Sequence, residues 1–277
     1  MIMRGEASRI SDRASRDSMA ARLKDAGERA CRIGRELFDI TALLDGNPAI
    51  AAALTDPSRP VDDKSAFLRT LLGDKADPLT AEILTDLVKR KWSRPKDIAN
   101  AVEDFGVDAL MYYADFTKST LKVSIELAQL HSSLLNLPVV RSKLYDDLAT
   151  PEARVKLLRE LLANSGFDQV TMILAEHGTA NLRKRRYLAT IQWLIRKLSN
   201  HMGESMITVT TATPLTPEQM HKLVALYTAK LQRPIHINSV VDPAVLGGMR
   251  TQVGDEVTDN TVVNQLRHLE GHIKATA

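Results

Sequence analysis

The 277 residues predict a mostly α protein, with two related N-terminal helical bundles followed by a small C-terminal α/β domain. Three observations carry that prediction. Apolar residues recur at helical spacing from about residue 28 to about residue 200, and one unit of helices is found twice in that stretch. Beyond it, strand-like alternation and paired turn residues replace the helical period. The composition, 44% hydrophobic but only 4% aromatic with 13 glycines, suits aliphatic helix packing better than a β-sandwich or a ring-lined pocket. The expected domains are 1–112, 113–204 and 205–277.

The first bundle can be read from its start and stop signals. A helix of about Glu28 to Asp45 carries Ile33, Leu37, Ile40 and Leu44 on one stripe, and Gly46-Asn47-Pro48 ends it. A short helix, Ala49 to Leu54, stops near Asp56-Pro57 and Pro60, and another runs from Asp62 to Leu72. Asp77-Pro78 has the form of an N-cap with proline at the first helical position, opening a helix to about Lys91. The last spans Arg94 to about Gly106.

Shifted by 90 positions without a gap, the same landmarks return. Glu36-Leu37 falls on Glu126-Leu127, Leu44 on Leu134, Pro48 on Pro138, Leu54 on Leu144, Asp56 on Asp146 and Lys64 on Arg154. Leu68, Leu71 and Leu72 fall on Leu158, Leu161 and Leu162, Ile83-Leu84 on Ile173-Leu174, and Ile98 on Leu188. Thr150-Pro151 starts the helix that holds the second leucine set.

The last 70 residues change character. Ile207 to Met220 reads ITVTTATPLTPEQM, a strand, Ala-Thr-Pro-Leu and then a capped helix. Ile235, Ile237, Ser239 and Val241 alternate as in a half-buried strand, which Asp242-Pro243 breaks because proline has no N–H to give a ladder. Gly247-Gly248 can take positive φ or admit another backbone. A second strand, Met249 to Val253, leads to a Gly254-Asp255 turn, and Asp259 can cap a final helix from about Thr261 to Ile273.

This ordered set resembles the C-terminal signature of the delta subunit of F-type ATP synthases, whose mitochondrial relative is the oligomycin-sensitivity-conferring protein. The matching positions are Asp242, Pro243, Leu246, Gly247, Gly248, Gly254, Asp255 and Asp259. One departure is Thr251, where the family usually has a branched aliphatic residue, so a less buried second strand is expected. The helical region resembles the family's N-terminal bundle, with Asn47-Pro48 and Lys64 in place, but two bundles stand where a single one is usual. That enlargement resembles the actinobacterial form. The resemblance implies a non-catalytic stator subunit in the peripheral stalk of a proton-translocating synthase, without a cofactor of its own. Its implied partners are the N-terminal helices of the alpha subunits on the head and the b-subunit stalk helices. Its implied place is the cytoplasmic side of the cell membrane, peripheral and attached through those partners. The signature residues are expected to shape the C-terminal fold rather than to touch a ligand.

Other features exclude or weaken other functions. There is no Gly-x-Ser-x-Gly elbow and no Gly-x-x-x-x-Gly-Lys phosphate loop, so no catalytic constellation is evident. His268 and His272 lie four apart but lack a third metal ligand. Cys31 is the only cysteine, which rules out an intrachain disulfide. No apolar run reaches the roughly 18 residues that cross a bilayer, and the N-terminal segment has charges throughout rather than a signal core. The net charge of +3 is too mild to imply nucleic acid, and the run Arg183 to Arg186, like Lys89 to Lys91, has only Trp92 and Tyr187 as nearby rings. A helical adaptor unrelated to ATP synthesis, or an RNA-binding helical protein using that run, are the alternatives.

Overall fold

The computed structural model describes residues 5–73, 76–254, 256–262 and 264. The chain divides into two compact units, residues 1–119 and 120–277. The expected boundary at 112 therefore lies within a helix, and the stretches 113–204 and 205–277 largely share the second unit.

Among the described residues the elements of the first unit are all helices: α1 Glu6–Lys24, α2 Arg29–Gly46, α3 Pro48–Thr55, α4 Val61–Leu72, α5 Pro78–Lys89 and α6 Lys96–Phe116. The α2 stripe of Ile33, Leu37, Ile40 and Leu44 is buried in one core with Leu54, Leu68, Ile83, Leu87, Val102 and Phe105. Pro48 and Pro78 each open a helix, where the missing N–H costs nothing. Asp77 caps α5 by accepting from the Leu79 N–H at 2.9 Å.

Two features differ from expectation. Helix α6 does not stop at Gly106 but continues to Phe116. Gly106 is there for space: a Cβ on it would lie 2.7 Å from the Phe38 ring, and one on Gly34 of α2 would lie 3.1 Å from the Gly106 carbonyl. The second is α1, which no apolar stripe announces. Its buried face is serine, with Ser8 donating to Asp97 at 2.8 Å, Ser11 to the Lys91 carbonyl at 2.7 Å and Ser15 to Asp86. Arg16 adds an ion pair to Asp108 at 2.7 Å.

The second unit begins with α7 Thr120–Leu135, α8 Pro138–Leu144, α9 Pro151–Leu162, α10 Gln169–Ala180 and α11 Tyr187–Met202. The starts of α8 and α9 and the end of α9 follow those of α3 and α4 at a separation of 90. From there the separation is 91, as the caps Asp77 and Asp168 show. The connection before α10 is one residue longer than that before α5, so Ile83 corresponds to Leu174 and not to Ile173. Leucine and isoleucine on both sides of that slip hide it in the sequence.

The α/β portion follows: β1 Ser205–Thr211, α12 Pro217–Leu231, β2 Ile235–Val241, a 3-10 turn Pro243–Val245, β3 Met249–Val253 and β4 Glu256–Asp259. The sheet order is β2-β1-β3-β4, with β1 and β2 parallel and the other pairs antiparallel. Thr216 and Gln219 form a reciprocal capping box at the start of α12. Helix α12 packs its Leu223 on Ile207, Val209 and Ile235. Helices α7 and α11 pack against β1, and α7 also against β2.

Coverage of both faces corrects two expectations. The alternation in β2 does not hold, because Asn238 is buried beneath α7, within 3.4 Å of the Ser132 hydroxyl, while Ser239 and Val241 are exposed. Thr251, expected to be less buried than its family counterpart, is 4% exposed and accepts from the Tyr227 hydroxyl at 3.0 Å. The hydroxyl pair lets a polar residue take a place meant for an aliphatic side chain. Strand β4 is an addition to the expected elements: only four residues long, it carries no alternation to read.

Candidate partner-binding surfaces

The signature residues come together in one braced corner. Asp242 continues β2 with its N–H bonded to the Thr211 carbonyl at 2.8 Å. Its Oδ1 caps the 3-10 turn through the Ala244 N–H at 3.0 Å, and its Oδ2 accepts from the Asn136 amide, at the end of α7, at 3.3 Å. Pro243 sits at the first position of that turn. Leu246 then adopts φ 58° and is 73% exposed. Gly247 and Gly248 have φ 141° and 75°, and a Cβ on Gly248 would run into the Asn260 carbonyl. That closeness lets Val262 bond back to the Gly247 carbonyl at 3.1 Å and Asn260 to that of Met249 at 3.0 Å.

The other members of the set divide. The Gly254 carbonyl accepts from Gln192 of α11 at 2.7 Å, a second tie between the corner and the bundle. Asp259 accepts from both the N–H and the hydroxyl of Thr261, at 3.0 and 2.6 Å. It thus closes a cap, while the helix expected after it, with His268 and His272, lies outside the described residues, as does Asp255. Exposed apolar side chains collect in this region of the chain: Val241, Leu246, Val257 and Val262.

The bundle of the second unit is held by a buried cation that spacing alone did not mark. Arg154 donates to the carbonyls of Thr179 at 2.8 Å and Ala180 at 3.1 Å, at the end of α10. It also donates to the Asp146 carbonyl at 2.8 Å and to that of Ala149, in the turn after α8. A guanidinium with five donors suits four carbonyls that a helix end and a turn leave without partners. The basic run forms a turn rather than a stripe. Arg183 and Lys184 have positive φ, Arg185 stacks 4.9 Å above the Trp193 ring, and only Lys184 and Arg186 are exposed.

Titration adds little chemistry here. Burial lowers the pKa of His131 on α7 and raises those of Tyr187 and Cys31. Among the described residues, no group of three His, Cys, Asp or Glu side chains is placed to hold a metal. No single described helix is long and apolar enough to cross a membrane.

Capped helices, a braced corner at Gly247-Gly248 and exposed apolar side chains make up a helical protein of two units with a small C-terminal sheet. The chain belongs to the ATP synthase delta (OSCP) subunit family, whose model matches residues 107–273. It is 70% identical to the ATP synthase subunit delta of Bifidobacterium adolescentis over 275 residues, covering 99% of this chain and 100% of that chain. The Bifidobacterium longum subunit is 67% identical over 99% of both chains. That of Beutenbergia cavernae is 31% identical over 94% of this chain and 95% of its own. The chain is therefore a non-catalytic subunit of the synthase's peripheral stalk, and its partners are the alpha subunits and the b stalk.

Proposed function

We propose that the two stalk contacts are divided along the second unit, with α7 to α11 holding an alpha-subunit N-terminal helix and the α/β region gripping the b helices. The observation that carries this reading is the extent of the family match, which begins at residue 107 and so takes in α7 to α11 and the sheet but not α1 to α5. It goes with a division into three domains, 1–112, 113–204 and 205–277. The first bundle is then an added joint on the same plan, lengthening the link between head and stalk. The signature residues Asp242, Pro243, Gly247, Gly248, Gly254 and Asp259 shape the b-binding region, and Leu246 lies on its surface.

Both contacts are of the helix-in-groove kind, in which an amphipathic helix lays its apolar face between helices of the bundle. Such a joint resists the torque of the turning central stalk; without it the head would spin and proton flow would not drive synthesis. The chain sits at the cytoplasmic side of the cell membrane, held through the b helices. The test is capture of tagged full-length chain from detergent-solubilised membranes of the host, followed by mass spectrometry. Alpha, beta and b subunits in near-stoichiometric amounts are expected, and their absence from the captured material overturns the reading.

A further inference from the structure

Large exposed aliphatic side chains of the second unit gather where its bundle meets its sheet. Leu137, the N-cap of α8, and Val139 in the first turn of that helix are 45% and 67% exposed. Leu246, which ends the 3-10 turn, is 73% exposed. The Asn136 amide donates to Asp242 Oδ2 at 3.3 Å, so the chain entering α8 and the chain entering the 3-10 turn stand at side-chain distance. Pro138 beside the first pair, and Pro243 and Ala244 before Leu246, are exposed and uncharged. The carboxylate among them is engaged on both oxygens, since Asp242 Oδ1 accepts from the Ala244 N–H at 3.0 Å. Two segments tied by one hydrogen bond thus present an uncharged aliphatic surface, and such a surface marks a contact site.

Two further observations separate this surface from chance exposure. Leu246 holds φ 58°, a conformation in which a Cβ is strained. The turn alone would be served by glycine or asparagine, so the leucine side chain is kept for what it touches. In the first bundle Asn47 and Ala49 stand at the places of Leu137 and Val139, at the start of α3. The apolar pair belongs to the copy in the unit that holds the sheet.

We propose that this surface seats one helix of the b stalk, so that the b contact runs from the Asp242 corner onto the start of α8. Three features select that occupant. The segment Pro243 to Leu246 lies in the corner assigned above to b, and the α8 residues continue it across the Asn136–Asp242 tie. An amphipathic helix lays apolar residues along one side at i, i+3, i+4 and i+7, which suits two aliphatic groups set side by side. A nucleic acid would require cations in place of this uncharged surface. Seated there, the b helix loads bundle and sheet together, and torque is not borne by the short strands alone. This rests on the reading that the α/β region grips b.

The test uses the full chain and two probes, soluble b stalk and purified synthase head depleted of its own delta subunit. Affinities are measured for wild type, Val139→Glu, Leu246→Glu and, as the first-bundle control, Ala49→Glu, all at exposed positions. Val139→Glu and Leu246→Glu should each lose at least tenfold in affinity for b and stay within twofold of wild type for the head, which also reports that they are folded. Ala49→Glu should stay within twofold for both probes. A b affinity unchanged in Val139→Glu but lowered in Leu246→Glu overturns the seat on α8 while leaving the b reading of the α/β region in place. Unchanged b affinity in both variants, or a loss of head affinity as large as that for b, also overturns the seat. At least tenfold tighter b binding by a full chain carrying Leu266→Asn and Leu269→Asn would give the surface to the chain's own C-terminal segment instead. Wild type that does not bind b removes the b reading, and the seat with it.

Discussion

Glu36 of α2 and Glu126 of α7 make the same pair of hydrogen bonds 90 positions apart. Glu36 accepts from the Asp77 N–H at 2.9 Å and the Thr80 hydroxyl at 2.6 Å. Glu126 accepts from the Asp168 N–H at 2.9 Å and the Thr171 hydroxyl at 2.5 Å. In both places the aspartate caps the helix that follows, so a carboxylate from one helix and a cap on the next satisfy the opening turn together. Both bonds of Glu126 end on one carboxylate oxygen, so Glu126→Leu leaves the Asp168 N–H and the Thr171 hydroxyl without their acceptor. A loss of about 1–3 kcal/mol is expected from urea unfolding. A midpoint equal to wild type would show that the bond pair carries no weight.

The close crossing of α2 and α6 makes a sharper demand. Gly106→Ala sets a methyl group against Phe38 with both helices fixed by the same core. Overpacking of this kind costs about 1–3 kcal/mol. Thermal unfolding should show a lower midpoint for Gly106→Ala, whereas Gly46→Ala, with open space around its Cβ position, should not. Equal midpoints for the two variants would contradict the crossing.

His131 gives the second unit a pH dependence. Burial lowers its pKa in the folded chain, so the unfolded chain binds the proton first as pH falls. Stability should be full above the ordinary histidine value of about 6.5 and decline below it, until the folded form also takes up the proton. Urea midpoints at pH 7.5 and 5.5 should differ for wild type, and differ less for His131→Gln. An identical pH slope in the variant would assign the effect to other groups.

The corner at Gly247 and Gly248 should be separable from the bundle. Val at both positions meets positive φ and the Asn260 carbonyl, so the hairpin cannot close. Binding of b should weaken, with alpha binding kept. A folded double variant with normal b affinity would refute the link between this corner and the stalk contact.

Much of this architecture is legible in the residues. Helices announced by Pro48, Asp77-Pro78 and Thr150-Pro151 begin where those residues stand, because caps and N1 prolines act locally. The β3 strand and the Asp242 turn lie where their turn residues put them. What stays hidden depends on tertiary partners. The α1 helix buries serines that hydrogen bonds to Asp86 and Asp97 make tolerable, so no apolar period reveals it. Gly106 looks like a stop and is a contact point. Asn238 and Thr251 look solvent-facing until α7 and Tyr227 cover them. The surface around Asn136 and Asp242 joins residues 106 positions apart, and the residues alone show only two separate turns.

The measurement that tests the stator account most directly is proton pumping in membrane vesicles stripped of their own delta subunit. Added full-length chain should restore ATP-driven acidification of the vesicle interior, with hydrolysis by the head running at the same rate with or without it. Hydrolysis that continues while acidification stays absent after the chain is added would contradict the account.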